Sequence, residues 1–347
     1  MSTIKDVARE AGVSISTVSF AINGTAPVAP ETKKRIFETI ERLNYQPNSA
    51  ARGLVTRKSN NIGIFVPHPD SSIFTFSGNQ LFANLLQGIG EVAGEKGYNL
   101  LLAWDRPDKE KPSKVIELAR SGSVDGLLFL IPNHDHTIID QLIEIKFPFV
   151  FMGNHYSDKP VDSVDIDNFQ ASYECASHLL KLGHKRIAFI SPGPLDFLVS
   201  EDRYEGYSSA LKDAYIEPDE RLFYVGDDSK ASGYRAMEHF FASGESPSAI
   251  VAGRDVQAVG ILKYAKERGM DIPRDIAVVS FENSQLAEMY DITSYSTDLY
   301  VIGNNAAKML FKLISRKKER QPQNVVIPSE LFVRGSCGSV SRNDPLS

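Results

Sequence analysis

Ser16 and Phe20 lie one helical turn apart within the stretch TIKDVAREAGVSISTVSFAING, residues 3–24, with Ile15 beside them. A hydroxyl can donate or accept a hydrogen bond at a base edge, and an aromatic ring can contact the methyl group of thymine. Because the major groove of DNA admits one α-helix, side chains on the outer face of a short helix are able to read bases. These three residues therefore suggest DNA recognition, provided that the fold leaves them exposed.

Two short helices and a supporting third are predicted to position this face. Thr3 and Ser14 are suited to cap helix N-termini, Asp6 falls in a first turn, and Gly12 provides a stop. Helical spacing predicts the inward-facing residues: Ile4, Val7, Ala8 and Ala11, then Val18, Ala21 and Ile22, and, after Pro30, Ile36, Phe37, Ile40 and Leu43. This pattern is typical of a helix-turn-helix head, although a three-helix bundle that packs on the rest of the chain fits it too.

The distribution of charge separates this head from the remainder of the 347-residue chain. Of 38 basic and 44 acidic residues, nine and five lie in residues 1–60, which gives a net charge of +4 there and −10 in the rest. A basic head on an acidic body predicts a polyanionic partner for the head alone. The length predicts two or three domains, and 42% hydrophobic and 24% charged residues are typical of a soluble globular protein.

Several classes of protein are disfavoured by what the sequence lacks. No run of about 18 apolar residues predicts a membrane span, and the charged start MSTIKDVARE is unlike a signal peptide, so we expect a cytoplasmic protein. No dinucleotide-binding, P-loop or nucleophile-elbow motif occurs, which argues against an enzyme. Cys175 and Cys337 lack metal-type spacing, and His134, Asp135 and His136 lack a distant further ligand, so neither a metal nor a cofactor is predicted.

The head resembles that of the lactose and purine repressor family of bacterial helix-turn-helix transcriptional regulators. The stretch quoted above, followed by RLNYQPNSAARGL, is similar to the family almost without interruption from Thr3 to Leu54. In that family the residues around Ser16 begin the helix that reads operator DNA. Phe20 stands where relatives often have Arg or His, which can donate hydrogen bonds to bases. A phenyl ring cannot, so Phe20 is expected to make only apolar contact with a base. The resemblance implies these DNA-binding residues: Thr3, Ile15, Ser16, Thr17, Ser19, Phe20, Asn23, Tyr45, Asn48, Ala51, Arg52 and Leu54.

The stretch NSAARGLVTRKSN, residues 48–60, carries one large hydrophobe, Leu54, among small and basic side chains. About a dozen such residues cannot hold a helix alone, so a flexible linker is the simplest interpretation. The resemblance implies instead a hinge helix that folds on DNA. Leu54 would then wedge into the minor groove, and Ala50 and Ala51 would let the two hinges of a dimer approach closely.

The body alternates short apolar runs with helical patterns. Candidate strands are residues 62–67, 98–104, 124–131, 147–153, 186–191, 221–226, 249–253 and 276–281. This alternation predicts parallel sheets with helices on both faces, and eight or more strands over about 270 residues predict two sheets side by side. The resemblance implies two doubly wound parallel-sheet lobes of the periplasmic-binding-protein type with a cleft between them.

The predicted organisation is thus a small all-α head followed by an α/β body. Residues 1–46 are the helix-turn-helix domain, 47–60 the hinge, and 61–340 the effector-binding and dimerisation domain. Within the body, lobe 1 is predicted at about 61–162 and 294–323, and lobe 2 at about 163–293 and 324–340.

Parallel sheets bind ligands beyond the carboxyl ends of their strands, and the resemblance implies six effector-binding positions there. They are Phe82, Asn154, Arg203, Asp228, Arg254 and Glu282. Arg254 and Glu282 stand where relatives often have Asn and Asp. Two arginines in one cleft favour an effector with a phosphate or carboxylate. Pairing of Arg254 with Glu282 or Asp228 would instead leave a site for a neutral sugar.

The sequence therefore predicts a homodimeric repressor of carbohydrate-utilisation genes that a sugar or sugar-phosphate effector releases from double-stranded operator DNA. Three alternatives stay open at this point. They are a regulator for which the ligand is a co-repressor, a two-lobed sensor that acts through protein partners, and an enzyme that uses the cleft.

Overall fold

The chain divides into two compact units, Met1–Ser59 and Asn60–Ser347, with a boundary inside the predicted hinge. The computed structural model describes residues 2–24, 26–45, 58–66, 80–104, 113–130, 137–153, 159, 161–242, 244, 246–315 and 321–339. The first unit is the head and the second is the body.

Three helices form the head: α1 (Ile4–Glu10), α2 (Ile15–Asn23) and α3 (Pro30–Arg42). Thr3 caps α1 and Ser14 caps α2, as the sequence predicts, while Gly24 ends α2 in the left-handed conformation at φ 64°. The helices enclose a small core of buried side chains: Val7, Ala8, Ala11, Val18, Ala21 and Ile36.

The prediction that Phe37 belongs to this core is wrong. Phe37 is 41% exposed, whereas the neighbouring Ile36 is fully buried. Consecutive helical residues are rotated by about 100°, so Ile36 and the partly buried Ile40 and Leu43 occupy one side of α3 and Phe37 points away from it.

The body contains twelve strands and nine helices among the described residues. Its first part comprises β1 (Asn61–Val66), α4 (Gln80–Glu95), β2 (Asn99–Trp104), α5 (Lys114–Ser121), β3 (Gly126–Leu130), α6 (Thr137–Glu144), β4 (Phe149–Met152) and β5 (Ser163–Asp165). Its second part comprises α7 (Asn168–Lys181), β6 (Ile187–Ile190), α8 (Leu198–Asp213), β7 (Phe223–Tyr224), α9 (Lys230–Ala242), β8 (Ala249–Ala252), α10 (Asp255–Glu267), β9 (Ala277–Glu282), α11 (Gln285–Met289) and β10 (Thr293–Ser296). The last elements are α12 (Leu299–Ser315), β11 (Asn324–Val326) and β12 (Leu331–Phe332).

Two six-stranded sheets define the two lobes of the body. Their strand orders are β11–β5–β4–β3–β1–β2 and β12–β10–β9–β8–β6–β7. Every pair is parallel except β10 with β12. All eight predicted strands are confirmed, and the doubly wound architecture with them, because apolar runs buried on both faces mark parallel strands clearly.

The chain crosses between the lobes slightly later than predicted at all three points. Strand β5 at 163–165 and strand β11 at 324–326 pair with each other in the first sheet, although both were assigned to lobe 2. Strand β10 at 293–296 lies in the second sheet, so the chain returns to lobe 1 only after Ser296. These strands have only three or four residues, and none of them contains the run of apolar residues that marked the predicted strands.

The two lobes also touch through their cores. One continuous apolar cluster extends from the first lobe, where it includes Leu85 and Ile302, into the second, where it includes Ala171 and Phe189. Leu198, the first residue of α8, packs into an aromatic cluster of the first lobe that contains Phe65, Phe129, Phe149 and Phe151.

Candidate nucleic-acid surface and effector site

The second helix of the head presents the predicted reading face to solvent. Ile15 is 45% and Phe20 39% exposed, and Ser16 between them is also exposed. On the opposite side of α2, Val18 and Ala21 are buried in the core of the head. The helix therefore carries apolar residues on both faces, and the outward pair is available for contact with a partner.

Hydrogen bonds at the start of α1 and α2 hold this arrangement. The Ser14 hydroxyl accepts from the Thr17 amide at 3.1 Å and lies 2.8 Å from the Thr17 hydroxyl. The Thr3 hydroxyl donates to Asp6 Oδ2 at 2.7 Å, and the bonds from Thr3 are the main reason that the pKa of Asp6 is lowered. Both caps satisfy backbone donors that a helix start leaves without partners.

The remaining predicted DNA-binding residues fall into two groups. Ser19 is half-buried on α2, Tyr45 packs half-buried against the core of the head, and Asn23 is the last residue of α2. Asn48, Ala51, Arg52 and Leu54 lie outside the described residues, so the hinge helix and its wedge stay predictions.

The exposed cations of the head are only partly neutralised by its own carboxylates. Arg9 pairs with Asp6 at 2.8 Å and Arg42 with Glu10 at 3.3 Å. Lys5, Lys33 and Arg35 are exposed and form no ion pair within the described part of the head. Unpaired surface cations of this kind are available to neutralise phosphates.

In the second lobe, Asp228, Arg254 and Glu282 form one buried charge cluster, called the effector cluster below. Arg254 Nη1 lies 2.6 Å from Glu282 Oε1, and Arg254 Nε lies 3.5 Å from Asp228 Oδ1. Burial disfavours the charge of Arg254, but Asp228 and Glu282 outweigh it, so the pKa of Arg254 is raised. Burial also raises the pKa of Glu282, against the opposing effect of Arg254.

The topology explains why residues so distant in sequence meet here. Arg254 is the N-cap residue of α10, two positions after β8 ends, and Glu282 is the last residue of the neighbouring strand β9. Carboxyl ends of parallel strands lie at the same edge of a sheet, where such folds bind ligands. Glu282 has a φ of 108°, a strained conformation for a side chain with a Cβ, as is common where a site orients a group.

Asp255, which the sequence analysis overlooked, holds the turn that carries Glu282. Its Oδ1 accepts from the hydroxyls of Ser280 at 2.5 Å and Ser294 at 2.7 Å, and its Oδ2 accepts from the Ser284 amide and hydroxyl at 2.7 Å each. In the sequence alone, the string VAGRD gives no sign of this role. Only the three serines from β9, β10 and the turn reveal its role.

Arg203 is less available to a ligand than the resemblance implies. It is only 5% exposed, and its Nε donates to Asn168 Oδ1 at 2.9 Å while its Nη1 donates to the Gly253 carbonyl at 2.8 Å. Its guanidinium carbon lies 4.0 Å from the centre of the Phe281 ring. Burial, aided by the charge of Arg254, lowers the pKa of Arg203 to about 10. Two of its three nitrogens are thus engaged inside the lobe.

The other predicted effector residues are not part of the cluster. Phe82 lies on α4 in the first lobe, half-buried against the large apolar cluster. Asn154 lies outside the described residues. A cavity of about 740 Å³ connects both lobes near the crossings, and its lining includes Asn84, Glu282 and Thr297 but neither Arg203 nor Arg254.

In the described part of the chain, no group of three or more His, Cys, Asp or Glu residues could hold a metal ion, and residues 134–136 lie outside that part. Among the described helices, none combines the length and the apolar character that crossing a membrane requires.

Comparisons with known proteins agree with this geometry. Residues 3–48 match the model of bacterial regulatory proteins of the lacI family, and residues 176–337 match that of a periplasmic binding protein-like domain. The catabolite control protein A of Priestia megaterium is 34% identical over 318 residues, which are 91% of this chain and 93% of that protein.

Solved structures share this fold over nearly the whole chain. The complex of the transcriptional regulator CelR with cellobiose is 29% identical, with a TM-score of 0.71 over 97% of this chain and 100% of that one. The lac repressor dimer bound to operator and the anti-inducer ONPF has a TM-score of 0.84 over 97% and 99% of the two chains. At 24% identity, this second likeness concerns the fold alone.

A helix-turn-helix head followed by a two-lobed, parallel-sheet body defines the class of ligand-binding transcriptional regulators. Within that class the chain belongs to the lacI family of bacterial regulatory proteins.

Proposed function

We propose that this protein is a homodimeric repressor that binds operator DNA through α2 of its head and is released by a small sugar-type effector bound in its body. The observation that carries the proposal is the outward face of α2, where Ile15, Ser16 and Phe20 are exposed although two of them are apolar. In this proposal the effector is a sugar or sugar phosphate, and its binding releases the protein from DNA instead of acting as a co-repressor. The targets are carbohydrate-utilisation genes. The proposal also includes a cytoplasmic location and no enzymatic activity.

The effector cluster supports the ligand-binding half of the proposal. Asp228, Arg254 and Glu282 bring buried hydrogen-bonding groups to the carboxyl edge of the second sheet. An effector can change DNA affinity only by binding one arrangement of the lobes better than another. Couplings of this kind typically amount to about 1–3 kcal/mol, or roughly 5- to 150-fold in affinity.

The proposal is tested by selecting duplexes from a random-sequence pool with the full chain. We expect enrichment of a sequence with two-fold symmetry, because a dimer presents two reading helices about one turn of DNA apart. Binding to that sequence should weaken steeply as salt rises, since neutralised phosphates release counterions. A chain that starts at Asn60 serves as the control and should enrich nothing.

Failure of the full chain to enrich any duplex would contradict DNA recognition. Enrichment by the chain that lacks the head would show that the binding surface had been assigned to the wrong unit. Circular dichroism of the shortened chain must accompany the comparison, so that loss of binding is not confused with unfolding.

A further inference from the structure

We infer that Gln257 is a positioning residue: its buried amide group joins three loops at the carboxyl edge of the second sheet and so fixes Arg254 and Asp228 relative to each other. The inference rests on the proposed ligand-binding function of the body and adds the side chain that sets the geometry of the site before a ligand arrives. Gln257 is fully buried in the first turn of α10, so it acts through its neighbours and does not itself contact a ligand.

The amide group of Gln257 forms a hydrogen bond with each of the three loops. Its Nε2 donates to the Ser191 carbonyl and to the Asp227 carbonyl, at 2.9 Å each. Its Oε1 accepts from the Arg254 amide at 3.1 Å. These residues follow β6, β7 and β8, which are neighbours in the order β8–β6–β7. One side chain therefore links the ends of three adjacent strands.

The chemistry of the side chain suits this role, because an amide group combines two N–H donors with an acceptor oxygen. A methionine of similar length forms none of these bonds, and an ionised carboxylate offers no donor. Either replacement would deprive the buried Ser191 carbonyl of the N–H group of Gln257, and a buried polar group that loses its partner is costly. The hydrogen bonds of Gln257, and not its size alone, therefore hold the loops.

Close packing around Gln257 restricts its movement. A Cβ atom at Gly226, in the loop after β7, would clash with Gln257 Nε2 and with the Ser191 carbonyl oxygen. A Cβ atom at Gly233, on α9, would clash with the Gln257 carbonyl oxygen. Glycine at these two positions permits the backbone to approach Gln257 this closely. A supporting side chain that is itself held by packing can fix a site precisely.

These bonds fix one half of the effector cluster, the ion pair of Arg254 with Asp228. Asp228 directly follows Asp227, and Arg254 is bonded through its own amide, so both backbone segments that carry the pair are tied to the same group. The other half is held separately, because Asp255 fixes the turn of Glu282. Two buried residues in the first turn of α10 thus each support one part of the cluster.

The test measures amide hydrogen exchange in the full chain and in Gln257→Met, which keeps the approximate length of the side chain but not its hydrogen bonds. Three amides report on the loops: Gly226, Asp227 and Arg254. We expect each to exchange at least about tenfold faster in the variant, because local opening of the loops requires less free energy there. Mass spectrometry of overlapping peptides resolves these positions.

A reciprocal variant separates positioning from a general loss of stability. Ser294→Ala removes the hydroxyl that accepts from the Asn283 amide in the turn of Glu282. It should speed exchange at Asn283 and leave the three loop amides protected, whereas Gln257→Met should do the opposite. A variant that only weakened the lobe would speed both sets together. Gln170→Met, at an exposed position on α7 of the same lobe, should change neither set.

The side chain of Arg254 reports on the site directly. In a chain that contains ¹⁵N-labelled arginine, the Nε–H signal of Arg254 is assigned by its loss in Arg254→Lys. Gln257→Met should shift or broaden this signal, because the guanidinium no longer lies at a fixed distance from Asp228. Gln170→Met should leave the signal unchanged.

Three results would overturn the inference. They are a folded Gln257→Met variant whose loop amides exchange as in the wild type, equal acceleration of the loop and turn amides, and an unchanged Arg254 signal. Gln257→Asn, which keeps the amide but shortens its reach, supplies the comparison if circular dichroism shows that the methionine variant does not fold. The samples contain neither ligand nor DNA, so the outcome is independent of whether the body binds an effector or the head an operator.

Discussion

Arg203 was expected to bind ligand, but its contacts inside the second lobe indicate that it also stabilises the fold. Its replacement by alanine would leave the Gly253 carbonyl and Asn168 without their donor and would open a cavity against Phe281. Loss of hydrogen bonds to a buried charged group typically costs a few kcal/mol. Arg203→Ala should therefore lower the free energy of unfolding by about 3 kcal/mol, as measured by urea denaturation of the full chain.

Arg274→Ala is the matched control for this prediction, because the side chain of Arg274 is 78% exposed and its nearest acidic partner is 3.3 Å away. Surface ion pairs are worth about 0–1 kcal/mol, so its stability should stay close to that of the wild type. Equal stability of both variants would show that Arg203 is not an internal support. Its effect on effector response could then be interpreted directly.

Glu282 should make stability depend on pH. Burial raises its pKa above the ordinary value of 4.5, so in the range above 4.5 the folded chain keeps a proton that the unfolded chain has released. Its contribution to the free energy of unfolding must then fall as pH rises through that range. Glu282→Gln cannot ionise, so the stability of this variant relative to the wild type should increase between about pH 5 and pH 8.

Denaturation curves at several pH values measure this difference. Glu288→Gln, which changes an exposed residue on the adjacent helix α11, serves as the control. A difference between Glu282→Gln and wild type that stayed constant over the whole range would mean that Glu282 ionises alike in both states. Burial of the cluster would then raise the pKa of Glu282 less than its geometry indicates.

At the scale of the element, α2 and α3 each expose one phenylalanine, and the two should differ in function. Phe20 is 39% exposed on α2 and Phe37 is 41% exposed on α3. Phe20→Ala should weaken binding to the selected operator by about 1–3 kcal/mol, or roughly 5- to 150-fold, because it removes an apolar base contact. Phe37→Ala should change operator affinity little, since α3 supports the reading helix and does not itself read bases.

Fluorescence anisotropy with labelled operator and with random duplex measures both variants. The loss in Phe20→Ala should be confined to the operator, because phosphate contacts hold equally on any sequence. An equal loss on both duplexes would remove Phe20 from base recognition, and a larger loss in Phe37→Ala would place the reading face on α3.

At the scale of the whole molecule, an exposed apolar patch on the second lobe suggests where two copies meet. Met289 and Tyr290 are 77% and 45% exposed, and Tyr290 borders a groove lined by apolar and charged side chains, among them Leu262 and Lys266. Exposed aromatic and methionine side chains of this kind are enriched at subunit interfaces. We expect the full chain to sediment as a dimer, and Tyr290→Asp to weaken that dimer by about tenfold or more.

Tyr215→Asp is the control, because Tyr215 is 99% exposed at the end of α8 and lies outside this groove. Analytical ultracentrifugation over a range of concentrations distinguishes the outcomes. A monomeric wild-type chain, or a Tyr290→Asp variant that dimerises as well as Tyr215→Asp, would place the interface elsewhere or remove it.

Local patterns were enough to predict much of this architecture. The caps at Thr3 and Ser14, the two faces of α2 and the eight predicted strands depend on residues within a turn or a strand of each other. Spacing along the chain therefore predicts them directly. Charge separation between head and body is likewise a property of composition.

Only the tertiary structure decided how Arg254 and Arg203 use their charges. Both Arg254 pairing and a free, anion-binding Arg254 were compatible with the sequence. The choice depended on bringing Glu282, 28 positions away, to the same edge of the sheet. Arg203 likewise meets Gly253 across 50 positions, and residues 324–326 join the first sheet only by pairing with the distant strand β5. Contacts this distant follow from the order of strands in a sheet, which no local spacing encodes.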